Sequence, residues 1–87
     1  MPIRWLQSEI ESEGEIRYQY LAAKGSYLLI VTTLGNDPMC KSVFEVHDCV
    51  DRGANTRIRE CGTKWTAKEA QEAATQIVNG LEYWGKR

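Results

Sequence analysis

The chain has 87 residues and a formal net charge of −1, with eleven Lys and Arg residues against twelve Asp and Glu residues. This length allows one domain and excludes a multidomain enzyme. The nearly balanced charge argues against a general binder of polyanions, which needs a basic surplus. A core this small leaves little spare stability for a strained active site, so we expect a protein that is not an enzyme. The glycines occur singly, without the spacing of a phosphate-binding loop, and we expect no cofactor.

Three cysteines, Cys40, Cys49 and Cys61, are present, and no pair has the CxxC spacing of a zinc ribbon or a redox motif. An odd number of cysteines, in a chain that starts without an apolar signal sequence, is typical of free thiols in a reducing compartment. The longest apolar run, residues 27–31, is far shorter than the ~20 residues that span a bilayer. We therefore expect a cytoplasmic protein that does not enter a membrane.

The segment before the first turn has two interpretations. Ile3, Leu6 and Ile10 recur at helical spacing, which favours a short helix over residues 2–12. The glutamates that follow Ser8 alternate with period two, which leaves a short strand as the alternative. Because glutamates are concentrated near the N-terminus and cations in residues 52–68, we also expect an acidic end and a basic edge.

The rest of the chain predicts an α+β fold, a four-stranded antiparallel meander with a C-terminal helix on one face. Strand periodicity or β-favouring composition marks residues 16–22, 27–34, 42–50 and 56–61, and turn residues separate them. Thr66 and Glu69 fit a capping box at the start of the helix. Apolar residues then form a stripe from Ala70 to Trp84, which predicts a helix over residues 67–79, or to Trp84 if Gly80 does not end it.

Strand alternation divides the side chains between two faces. A two-residue turn at Lys24-Gly25 places Tyr20 opposite Leu29, and residues paired across strands share a face. The side chains expected to face the helix are Ile16, Tyr18, Tyr20, Tyr27, Leu29, Val31, Phe44, Val46, Val50 and Ile58. The apolar side chains expected on the opposite face are Leu21, Leu28, Ile30 and Leu34.

This second apolar set requires a cover. Burying four aliphatic side chains contributes roughly 6–12 kcal/mol, which is comparable with the ~5–15 kcal/mol of a whole domain. Either the N-terminal segment covers the face with Trp5, Leu6 and Ile10, or another chain does. If the N-terminal segment is a strand, it extends the sheet and leaves the face open.

Polar residues are expected beside this apolar set. His47 and Cys49 project from the same strand face, and such a pair can serve as nucleophile and base, or as two metal ligands with Asp51 or Cys61. The simpler interpretation is a half-exposed face with cross-strand ion pairs. We predict that this face contacts a protein partner or a second copy of the chain, and not a membrane. The partner-binding residues of this prediction are Leu28, Ile30, Glu45, His47, Arg57 and Arg59.

Residues 62–74 contain a glycine, a small hydroxyl residue, lysines and an Ala-rich helix, in that order. The residues that carry this pattern are Thr66, Lys68, Ala70, Ala73 and Ala74. The stretch resembles the end of a double-stranded RNA-binding domain, while Ala67 and Gln71 stand where that family has further lysines. The resemblance implies phosphate contacts at the helix N-terminus. As an alternative function it would assign nucleic-acid binding to Arg52, Lys64 and Lys68.

A second pattern extends over most of the chain. It is carried by Trp5, Gly25, Tyr27, Thr66, Glu69, Ala70 and Ala74. The layout is similar to that of small ββββα proteins of phages and mobile elements, some of which, anti-CRISPR proteins among them, inhibit host defence systems. Such inhibitors cover a functional surface of a larger complex. The resemblance implies a non-catalytic protein-binding module that inhibits a bacterial defence complex stoichiometrically.

Overall fold

The fold is that of a computed structural model, which describes residues 3–35, 37, 39–49 and 56–85. The described elements, in chain order, are β1 (Leu6–Ser12), β2 (Glu15–Lys24), β3 (Tyr27–Thr33), β4 (Ser42–Cys49), β5 (Thr56–Lys64) and α1 (Ala67–Gly85). The strands form one sheet in the order β1-β2-β3-β4-β5, and each neighbouring pair is antiparallel. The α+β class and the C-terminal helix are confirmed, but the sheet has five strands rather than four.

The additional strand is β1, in the segment for which the sequence favours a helix. β1 pairs with β2 along its whole length, up to Ser12 opposite Glu15. The two turn residues, Glu13 and Gly14, have φ values of 53° and 82°, which is the pattern of a type I′ hairpin turn. The helix prediction is wrong here and the strand alternative is correct, because Gly14 supplies the positive φ of a two-residue turn that brings Leu6–Ser12 alongside β2.

The turn between β2 and β3 is Gly25-Ser26, one residue later than predicted. Gly25 has a φ of 61°, and a glycine at the first turn position is typical of a type II′ turn. As a result Tyr20 lies opposite Val31 rather than Leu29. This change moves the partner by two residues, and because strand side chains alternate with period two, the side chains of β2 and β3 keep their predicted faces.

The face predicted for Leu34 is wrong, because β3 ends at Thr33. Leu34 lies beside Ile16 and Tyr18 of the helix side.

The hydrophobic core lies between α1 and one face of the sheet, where α1 packs on β3, β4 and β5. The core consists of Ala22, Leu29, Val31, Phe44, Val46, Ala67, Ala70, Ala74 and Val78. The alanines leave room for the helix backbone to approach the sheet closely. Tyr20 and Tyr27 pack against this core as predicted, and so do Ile3 and Trp5, which therefore lie on the helix side of the sheet.

The helix begins as the capping pattern predicts. The backbone N–H of Glu69 donates to Thr66 Oγ1 at 3.2 Å, which satisfies one of the free donors of the first turn. The helix then continues through Gly80 to Gly85. Near its C-terminal end, Lys24 Nζ donates to Asn79 Oδ1 and lies 4.0 Å from Glu82 Oε1, so the end of β2 is joined to the last turns of the helix.

The face predicted for Ile58 is wrong. The pairing of β4 with β5 shifts between Val46 and His47, so that Glu60 lies opposite Val46 and Ile58 lies opposite His47. Arg59 is the extra residue of this β-bulge, and one extra residue reverses the alternation beyond it. Ile58 consequently lies on the side of the sheet away from α1 and is 51% exposed. The prediction for Val50 lies outside the described residues.

The two faces differ in what a leucine side chain contributes to stability. Leu29 is fully buried against α1, whereas its neighbour Leu28 is only partly buried on the other face. We expect Leu29→Ala to lower the free energy of unfolding by about 2–5 kcal/mol because it leaves a cavity. Leu28→Ala is the matched control and should cost about 1 kcal/mol or less. Urea denaturation of both variants measures the difference, and equal losses would contradict the assignment of the core to the helix side.

Candidate functional site

The second face of the sheet, directed away from α1, has no cover among the described elements. All five strands lie in the sheet, and α1 packs on the opposite side. We call this second side the open face. The strand register places on it the apolar residues Leu6, Ile10, Leu21, Ala23, Leu28, Ile30, Val43 and Ile58, and also Ser8, Arg17, Gln19, Thr32, Glu45, His47, Cys61 and Thr63.

Two neighbouring rows of side chains cross the open face. The first row, from β1 to β5, is Leu6, Leu21, Ile30, Glu45 and Cys61, and the second, from β2 to β5, is Ala23, Leu28, His47 and Ile58. Leu6 is 66% exposed, and the aliphatic residues nearer the centre are partly buried by one another. Both rows are apolar on β2 and β3 and polar on β4, so an apolar band ends against a polar pair.

The polar pair consists of Glu45 and His47. His47 Nε2 lies 3.7 Å from Glu45 Oε2, and the two side chains are 14% and 35% exposed. The pair lies beside the apolar band of β2 and β3, and the rows on the other side of that band carry further polar side chains, among them Arg17, Gln19 and Thr32.

The structure brings together four of the six predicted partner-binding residues. Leu28, Ile30, Glu45 and His47 occupy adjacent positions of the two rows, on β3 and β4. Arg59 is exposed at the bulge of β5. Arg57 is paired with Asp48 in the strand register, and not with a member of either row.

Some apolar members of the open face, Leu6 and Ile58 among them, are not predicted by the sequence pattern. Helical spacing assigns Leu6 to a helix, although Gly14, a residue suited to a hairpin turn, indicates that its segment pairs with β2. Strict alternation assigns Ile58 to the opposite face, because nothing in the sequence marks the bulge at Arg59.

The catalytic and metal-binding alternatives predicted from the sequence depend on His47 and Cys49 of β4. Among the side chains that the structure describes, no three His, Cys, Asp or Glu residues are grouped so that they could hold a metal ion. The side chain of Cys49 and residue Asp51 lie outside the described part of the chain. Cys61 is exposed on β5, opposite Glu45, and Cys40 is partly buried.

The alternative nucleic-acid site has carboxylates beside its lysines. Lys64 lines a shallow hollow with Glu69 and Glu72, and Lys68 lines another with Glu72 and Trp5. Neighbouring carboxylates lower the positive potential that would attract a phosphate. Arg52, the third residue of this prediction, lies outside the described residues.

A groove of about 620 Å³ lies at the far end of the sheet from the core. It is lined by Glu9, Gly14, Glu15, Ile16, Tyr18, Leu34 and Gly35. Ile16 and Leu34 are roughly half exposed here, because α1 packs on β3, β4 and β5 and does not extend over this corner. Nearby, burial raises the pKa of Tyr20, with Tyr18 as a second cause, so Tyr20 is neutral at neutral pH.

Comparison of the chain with protein-family models, with curated proteins and with solved structures finds no match. No helix among the described residues combines the length and the apolar character needed to cross a membrane.

Cysteine reactivity tests the exposure of the open face. We expect the thiol of Cys61 to react with a maleimide at least about fivefold faster than that of Cys40, because accessible thiols react faster than covered ones. Two single-thiol variants, C40S/C49S and C49S/C61S, allow each rate to be measured separately at pH 7. Equal rates in the folded protein would contradict the exposed position of Cys61, and unfolding in urea provides the reference rate for each thiol.

Proposed function

We propose that this chain is a non-catalytic protein-binding module that docks on a protein partner through its open face. The observation that carries the proposal is the distribution of elements in the fold, a five-stranded sheet with its one described helix on a single side. Leu6, Leu21, Ile30 and Leu28 thereby form an apolar band across β1, β2 and β3, while Ile58 lies on β5 beyond the Glu45–His47 pair. Contiguous apolar surface of this kind is characteristic of interaction sites.

The dimensions of the open face favour a protein as its ligand. Five strands spaced ~4.8 Å apart and about eight residues long give a surface of roughly 24 by 26 Å, or about 600 Å² before side-chain relief is counted. A standard protein interface buries about 800 Å² per partner. Small-molecule sites are concave, whereas this surface is the side of a sheet, so a protein surface is the better fit.

The polar pair supports selectivity within this surface. Apolar contacts from Leu28 and Ile30 supply non-directional attraction, and the Glu45–His47 pair imposes a charge pattern that the partner must match. The pair lies against the apolar band. A partner whose charge does not face this pair would therefore bury that charge against apolar side chains without compensation. Leu28, Ile30, Glu45 and His47 are thus the residues of the proposed contact.

The finer proposal concerns the partner. The resemblance to small ββββα proteins of phages and mobile elements supports an inhibitor that covers a functional surface of a bacterial defence complex. Such a role requires a stable binding surface and no chemistry, which agrees with a domain of 87 residues.

Substitution at the centre of the open face tests the proposal. Ile30→Asp places a charge in the apolar band and should weaken partner binding at least about 100-fold, since an unpaired buried charge is costly. Gln76→Asp is the matched control, because Gln76 is exposed on α1 and directed away from the open face. Two readouts are measured for each variant. The first is capture of a partner protein by the immobilised variant, and the second is protection of its Cys61 thiol from maleimide by the bound partner.

Both readouts are needed because capture alone does not locate the contact. The proposal predicts that Gln76→Asp retains capture and Cys61 protection, and that Ile30→Asp loses both while keeping a native circular dichroism spectrum. Undiminished binding by a folded Ile30→Asp variant would show that the open face is not the contact.

The alternative, a degenerate double-stranded RNA-binding domain, predicts a different result. Because Glu69 and Glu72 lie beside Lys64 and Lys68, we expect no gel shift of duplex RNA at micromolar protein and low salt, the condition that favours phosphate contacts. A shift that Lys68→Glu removes and Ile30→Asp leaves unchanged would instead support RNA binding.

A further inference from the structure

The pattern of side chains on the open face is complementary to itself. On β3, Ile30 of the first row and Leu28 of the second row are both apolar. On β4, Glu45 of the first row is acidic and His47 of the second row carries an imidazole. On each strand, the side chain of one row can therefore contact the side chain of the other row in a second copy. A surface with this property can bind its own copy through a two-fold axis.

We infer that the protein partner of the open face is a second copy of this chain, related by a two-fold axis that runs across the strands between the two rows. This inference rests on the proposed function, because it names the occupant of the same surface. The axis places Ile30 of one copy over Leu28 of the other, and Leu21 over Ala23. It also places Glu45 of each copy over His47 of the other, so the dimer contains two such contacts.

The orientation of the axis follows from the charges. A two-fold axis parallel to the strands and centred on β3 would place β2 over β4, and therefore Leu21 over Glu45. That arrangement buries a carboxylate against an aliphatic side chain without compensation. The axis across the strands avoids this mismatch, and the strands of the two sheets then run close to parallel or antiparallel, as in aligned sheet packing.

The position of the axis limits the contact area. It crosses β2 at Ala22 and β3 at Leu29, so only two residues of each of these strands lie on its short side. The overlap of two copies is therefore about five residues long and four strands wide, roughly 300 Å² per copy. A dimer that buries about 600 Å² in total is smaller than a standard interface of 1,200–2,000 Å², which predicts a weak, reversible dimer with the two sheets at its centre and the α1 helices outside.

The oligomeric state gives the first test. Sedimentation equilibrium from about 1 to 500 µM should show a monomer–dimer equilibrium for the natural chain and for Gln76→Asp. Ile30→Asp should weaken the dimer at least about 100-fold, since it buries a charge in each half of the interface. A natural chain that remains monomeric over this range, or a dimer insensitive to Ile30→Asp, overturns the inference.

The axis itself is tested by reciprocal charge variants. Glu45→Lys brings an ammonium group near His47 of the other copy, and His47→Glu brings a second carboxylate near Glu45 of the other copy. Each variant alone should therefore dimerise at least about tenfold more weakly than the natural chain.

Mixing the two variants should restore the dimer. In an equimolar mixture the ammonium group of the first variant lies over the new carboxylate of the second, and His47 of the first lies over Glu45 of the second. Dimerisation should recover to within about threefold of the natural chain. Contacts within one copy cannot produce this recovery, because neither variant regains a complementary pair of its own.

The outcomes separate this inference from the proposed function. If the mixture does not recover, the two-fold arrangement is wrong. If the natural chain is monomeric at all concentrations but a foreign protein protects Cys61 and Ile30→Asp removes that protection, the second copy is excluded and the binding function of the open face holds. If Cys61 is never protected, by a second copy or by another protein, both proposals fail.

Discussion

The limiting constraint in this protein is that one helix shields only part of one side of a five-stranded sheet. A helix of 19 residues is about 28 Å long and ~10 Å wide, whereas five strands extend over roughly 24 Å. Its small residues, Ala67, Ala70 and Ala74, are buried on the strands they reach. The corner around Ile16 remains partly exposed, and the other side of the sheet receives no described cover.

β1 determines how large the uncovered surface becomes. As a helix, residues 6–12 would have been available to close the second side of the sheet. As a strand, the same residues widen the sheet by one strand and add Leu6 to its uncovered side. Trp5 does not compensate, because it packs with the core on the side of α1. The choice between helix and strand in this short segment therefore decides whether the second side of the sheet is covered or left open.

Much of the fold can be predicted from the sequence because its strongest signals are local. The alternation in β2 and the Thr66 cap each depend on a few adjacent residues, and both are confirmed. The predicted β2–β3 turn lies one residue too early. The predicted faces of β2 and β3 are nevertheless correct, because they depend only on whether two residues are separated by an even or an odd number of positions. The extra residue at the Arg59 bulge turns even separations into odd ones, and for that reason the predicted face of Ile58 is wrong.

The same distinction explains the candidate site. Leu28, Ile30, Glu45 and His47 lie in strands without irregularity before the bulge, so counting residues in twos places them correctly on one face. The arginines of β5 lie at or beyond the bulge, where that counting no longer applies. Residues 2–12 alone do not decide whether the N-terminal segment adds a strand, because helical and alternating patterns coexist there.

The two outer strands of the sheet restrain uncontrolled growth. β1 carries Glu9 and Glu11, and β5 carries Arg59 and Lys64. Two identical edges meet antiparallel, the more stable ladder, but their like charges repel. Unlike edges attract, but between copies in the same orientation β5 and β1 run in the same direction and would form the less stable parallel ladder. An antiparallel ladder between the unlike edges requires every second copy to be turned over, which places α1 on alternating sides of the joined sheet.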